Sequence, residues 1–90
     1  MEKIFKYELK FEDDQIVEIP NLIKVLSVIE QNNVLMLYVL VRDDFPDWEF
    51  LPINVFIRGT GHRMNEAEDA CFLGTVPTAS GLVWHVFYSV

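Results

Sequence analysis

From Phe5 to Phe11 apolar and polar residues alternate strictly, with Phe5, Tyr7, Leu9 and Phe11 on one side and Lys6, Glu8 and Lys10 on the other. That period of two predicts a half-buried β-strand. Glu12 to Gln15 reads as a turn, and Ile16 to Ile19 as a short strand stopped at Pro20-Asn21. Leu22 to Gln31 is rich in β-branched residues and joins Val34 to Val41 through Asn32-Asn33. Asparagine tolerates positive φ, so the pair predicts a two-residue hairpin. Val34 to Val41 is apolar at every position, the pattern of a central strand covered on both faces.

The segment from Arg42 to Glu49, which contains Pro46, predicts a loop. Alternation resumes at Phe50, with Ile53, Val55 and Ile57 on one face. Pro52 cannot donate to a ladder, so it must stand at a strand start, an edge or a bulge. Asn65 to Ala70 suits one helical turn, with Asn65 as N-cap and Glu68 at capping-box spacing. Cys71 to Val76 predicts a short strand, Pro77 to Gly81 a turn, and Leu82 to Val90 a closing strand. In that last strand Val83, His85 and Phe87 oppose Trp84, Val86 and Tyr88. There is no repeat, no low-complexity tract and no helix longer than about a turn. The pattern predicts one all-β domain over residues 1–90, a small antiparallel β-sandwich or partly open barrel of about seven strands.

Composition narrows the class. Ninety residues make a single core, because two would each be too small to hold. Seven Phe, three Tyr and two Trp exceed what such a core needs, a hint of self-association. A net charge of −7 argues against nucleic acid, whose affinity comes from basic residues, and against an anionic membrane surface. It suits solubility and a basic partner. Cys71 is the sole cysteine, so no intrachain disulfide forms, and the first ten residues lack a secretory pattern. The longest apolar run, Val34 to Val41, falls far short of the ~20 residues of a membrane helix. A reduced cytosol is the expected location.

The densest candidate chemistry is Arg58 to Met64, "RGTGHRM". Gly59-Thr60-Gly61 lacks the third glycine of a dinucleotide fingerprint and the Lys-Ser/Thr end of a phosphate loop. It predicts a sharp strand exit with positive φ at one or both glycines, flanked by Arg58, His62 and Arg63 as an anion site. His85 alternates into the closing strand, the position of a packed ring more often than of a catalyst. His62, His85 and Cys71 share no ligand-pair spacing, so no metal is expected. The acidic loop offers Asp43, Asp44, Asp47 and Glu49 around Phe45 and Trp48, aromatic anchors for a partner, without the glycine and bidentate glutamate of a calcium loop. "TASG", Thr78 to Gly81, lacks the G-x-S-x-G elbow. No cofactor and no enzymatic activity are expected.

"IFKYELKFEDDQIVEIP", "VLSVIEQNN", "FIRGTGHRM", "FLGTV" and "VWHVF", in this order over nearly the whole chain, resemble a family of small bacteriophage and prophage proteins of unassigned function. "GTGH", "FLGT" and "WHVF" carry the resemblance most specifically. The chain departs from that pattern in its acidic middle loop, Asp43 to Pro52, and in the insertion Asn65 to Ala70. The resemblance implies a viral accessory protein acting in the cytoplasm of a bacterial host, and it transfers no catalytic residues. It adds weight to Gly59, Gly61, His62, Trp84 and His85 as a shared site. The favoured expectation is a non-catalytic interaction module that binds a host or defence protein through the acidic loop. The alternatives are a binder of a nucleotide-like anion at Arg58, Gly59, Thr60, Gly61, His62, Trp84 and His85, and a structural virion-associated domain, with homo-oligomers allowed.

Overall fold

Strand alternation and corners at left-handed asparagines set the architecture. The computed structural model describes residues 1–44 and 49–90. Seven strands run in chain order: β1 Glu2–Leu9, β2 Asp14–Pro20, β3 Leu22–Gln31, β4 Val34–Arg42, β5 Phe50–Gly59, β6 Cys71–Pro77 and β7 Val83–Ser89. They form two antiparallel sheets, β1-β4-β3 and β2-β5-β7-β6. The architecture is therefore the sandwich of the two expected alternatives, all-β with seven strands. Alternate residues of both sheets meet between the layers: Leu9, Ile19, Leu35, Leu37, Val39, Val41, Ile53, Val55, Ile57 and Val86 are all buried.

The corners follow from residues that accept left-handed backbone. Asn32 and Asn33 have φ of 54° and 65°, the requirement of the predicted two-residue hairpin. Asn21, with φ of 46°, does more than end a strand. Its amide nitrogen donates to the Arg42 carbonyl (3.2 Å), its side-chain oxygen accepts from the Glu49 N–H (3.0 Å), and its backbone bonds both residues again. One side chain thus ties the β2–β3 crossover to the end of β4 and the start of β5. Pro52 pairs only with β2, because β7 begins its pairing with β5 at Asn54. The missing N–H therefore falls in a stretch flanked on one side alone.

Three expectations need correction. β4 is central in its sheet, but only its inward residues are covered; Val34, Met36, Tyr38 and Leu40 face outward and are half-buried. The sandwich has two layers, and among the described residues no third layer lies over that face. Phe11 falls beyond the end of β1 and is 49% exposed, packing on Trp84 and not in the inter-sheet core. Asn65–Ala67 forms a single 3-10 turn, yet Asn65 itself is left-handed (φ 52°) and no side chain caps the turn.

The route from β5 to β6 places the candidate residues. Both strands are antiparallel to β7, which lies between them, so they run parallel to each other. Segment 60–70 must therefore return along the sheet. It does so across the outer face, where it buries Ala67 completely and leaves Arg58 only 3% exposed.

Candidate functional site

Cross-strand register divides the Arg58–Met64 region between two faces of the sheet. Arg58 pairs with His85, and His85 with Thr75, so these three side chains share the outer face. Gly59 pairs with Trp84, which with Val76 belongs to the inner face at the end of the sandwich. A single residue step thus separates two chemically distinct places.

On the outer face Arg58 works as an internal clamp. Its guanidinium donates to the carbonyls of Asp13, Ile57 (3.2 Å) and Met64 (3.0 Å) and to the Asp14 carboxylate (2.9 Å). Glu66 stands 3.9 Å away, and the cation lies 5.7 Å from the centre of the Phe56 ring. These bonds fasten the β1–β2 turn and the return segment to β5. A planar fork of donors is what such divergent acceptors require, which a lysine cannot supply. Beside it, the His85 ring is held between two hydroxyls, Nε2 at 2.8 Å from Thr60 Oγ1 and Nδ1 at 3.1 Å from Thr75 Oγ1. In the neutral ring one nitrogen donates and the other accepts, so both are occupied.

On the other face, Gly59 to His62 makes a closed turn. The His62 N–H donates to the Gly59 carbonyl (3.0 Å), and Gly61, third in the turn, has φ of 89°, as a type II turn demands. Gly59 is glycine for another reason: the His62 ring occupies its Cβ position, and a methyl there would lie 2.8 Å from Cε1. The Gly59 N–H donates in return to His62 Nδ1 (3.2 Å), which leaves Nε2 to carry the proton of the neutral ring. His62 and His85 consequently lie on opposite faces of the sheet. His62 stands edge-on to Trp84, ring centres 6.4 Å apart.

Trp84 is the centre of the loop end of the sandwich. Phe11 packs against it at 5.7 Å, tilted 53°. A cleft of about 280 Å³ opens among Phe11, Asn33, Thr78, Ser80, Leu82 and Trp84. A second, of about 250 Å³, lies among Gly59, Thr60, His62, Leu82, Val83 and Trp84. The two share Leu82 and Trp84. Leu82 is 57% exposed, on a turn braced by Thr78 Oγ1 donating to the Leu82 carbonyl (2.8 Å) and by a Thr78–Ser80 hydroxyl contact (3.0 Å). Four chain reversals, after β1, β3, β5 and β6, meet here. Loops on a rigid double sheet are where binding residues concentrate.

Of the sequence candidates, Gly59, Thr60, His62 and Trp84 are therefore brought together, Gly61 shapes their turn, and Arg58 and His85 stand behind the sheet. Phe11 and Leu82 join them with no signal in the sequence that marks them as site residues. Phe11 continues the β1 alternation and so reads as core, while Leu82 reads as the first residue of a strand. The described residues of the acidic loop, Asp43, Asp44 and Glu49, lie at the opposite end. Asp43 pairs with Lys3 (2.7 Å), and Asp44 with the Met1 ammonium (2.7 Å) and Arg42 (3.6 Å). The hydrogen bond to that ammonium holds the Asp44 carboxyl below its ordinary range. Glu49 meets Asn21 through its backbone. Phe45, Asp47 and Trp48 lie outside the described residues. Among the described residues no three metal-ligating side chains converge, and no helix is long and apolar enough to cross a membrane.

No curated protein and no solved structure matches the chain. A family model does, over residues 1–90, and its description is a domain of unknown function. The chain belongs to that family, DUF7352.

Proposed function

We propose that this protein is a non-catalytic interaction module that grips a protein partner with the loop end around Trp84. The observation that carries the reading is the ring of Phe11 and Leu82, 49% and 57% exposed, around a tryptophan seated on a rigid sheet. Hot spots have this composition, a pre-positioned aromatic anchor with apolar neighbours that exclude water. Hydroxyls of Thr78 and Ser80 supply a polar rim. Arg58, one of the cations flanking the glycine turn, is committed behind the sheet, which favours a protein surface over a nucleotide-like anion. The reading takes the protein to be a phage accessory factor and the partner to be a host or defence protein in the bacterial cytoplasm, on the resemblance of its sequence to phage proteins.

The test is capture from bacterial lysate by the tagged protein and by three single variants at exposed sites. Leu82→Asp and Phe11→Asp are expected to lose a partner that the parent retains. Ile16→Asp, on β2 and 65% exposed, is expected to keep it. Retention of the same partner by both loop-end variants sinks the reading.

A further inference from the structure

The outward face of the β1-β4-β3 sheet is a second surface, independent of the loop end. Its grid follows from the register: Leu40 lies between Ile4 and Lys24, Tyr38 between Lys6 and Ser27, and Met36 between Glu8 and Ile29, with Val34 beside Gln31. Ile4 and Ile29 are 62% and 44% exposed. An apolar stripe therefore runs the length of β4 with charge on its flanks. Within this grid Lys6 and Lys24 face one acid, Glu8, so the patch is net +1 on a chain of net −7. The patch thus lacks the acidic excess of the rest of the chain, and its opposite charges, Lys6 and Glu8, stand side by side on β1.

We propose that two copies pack face to face on this sheet, about a two-fold axis that crosses β4 between Tyr38 and Met36. That placement is self-complementary. Lys6 of each copy faces Glu8 of the partner subunit, Tyr38 meets Met36 of the partner subunit, and Leu40 meets Val34 of the partner subunit. A hollow of about 250 Å³ bounded by Lys6, Glu8, Gln31, Val34 and Met36 receives the partner's Leu40. Strands of eight to ten residues at ordinary spacings give a footprint of about 15 by 30 Å, hence roughly 1,000 Å² buried in all. That size belongs to weak, concentration-dependent dimers.

Sedimentation velocity of the intact chain from about 1 to 200 µM tests this, a range that spans the affinity of so small an interface. The parent is expected to pass from monomer to dimer within it. Lys6→Glu places two acids opposite two acids, and Glu8→Lys two bases opposite two bases; each is expected to weaken dimerisation at least about tenfold. The double variant Lys6→Glu/Glu8→Lys recreates both pairs and is expected to return within about threefold of the parent. Both side chains are exposed, so the fold is retained, and unchanged melting temperatures verify it. A parent that stays monomeric throughout overturns the proposal and leaves the face to an acidic protein of another kind. Dimers indifferent to both single changes, or a double variant that stays weak, overturn it as well.

Discussion

Replacing Arg58 by methionine keeps most of the buried stem and removes the guanidinium, and with it four hydrogen bonds. The bond to Asp14 is charge-assisted, worth about 1.5–3 kcal/mol where dry. The Asp14 side chain is half exposed and rehydrates once freed, so the low end applies. The carbonyls of Asp13 and Met64 lose a charged donor, at about 0.5–1.5 kcal/mol each. The expected loss is then about 2.5–4.5 kcal/mol, slightly under the 3–5 of a fully buried broken ion pair. A chain of this length has about 5–13 kcal/mol of stability in total. At about 4–8 °C per kcal/mol, the melting temperature should fall by roughly 10–35 °C. Urea unfolding followed by far-ultraviolet circular dichroism measures the loss. Arg58→Lys keeps the charge without the fork and should forfeit about half as much, while Glu66→Gln, 71% exposed, should cost under about 0.5 kcal/mol. Amide exchange in segment 60–70 should accelerate in the methionine variant before that of the core strands. A methionine variant within about 3 °C of the parent, or no different from lysine, refutes the clamp.

Two smaller tests concern backbone and charge. Gly61→Ala forces a methyl-bearing residue to φ of 89° and should cost about 1–2 kcal/mol, whereas Gly59→Ala should cost less but push the His62 ring off its place beside Trp84. A nuclear Overhauser contact between His62 and Trp84 that survives Gly59→Ala would contradict this account. For Asp44, a carboxyl held low in the folded chain supports stability above its unfolded pKa, and that support fades as pH falls through the folded value. Acetylating the Met1 amine removes the principal cause, so a carbon-13 titration should show the Asp44 midpoint rising towards its ordinary value; an unmoved midpoint denies the pairing.

Much of the fold was legible because each strand obeys its own period. Alternation in Glu2–Leu9 and Phe50–Gly59, and paired asparagines at 32 and 33, are local signals that tertiary structure has no reason to override. The bare face of β4 was not legible: apolar residues on both sides of a strand look alike whether a second layer of the same chain or another molecule covers them. The placement of Arg58 and His62 was hidden for a different reason. The pleat points Arg58 and Gly59 to opposite faces, and the turn that follows folds the His62 ring onto the Gly59 side, so the cluster in "RGTGHRM" is dispersed. The burial of Arg58 depends on the return of segment 60–70, which only the order β5-β7-β6 requires. The convergence of Phe11 with Leu82 likewise comes from which reversals share an end of the sandwich.

The loop-end claim meets its most direct test in site-specific photo-crosslinking inside bacterial cells, with a benzophenone side chain placed at position 82, 16 or 44. The account predicts one discrete protein adduct from position 82, and none from position 16 on the β2 face or position 44 at the opposite end. Silence at 82 with an adduct at 44 would contradict it and return the partner to the acidic loop.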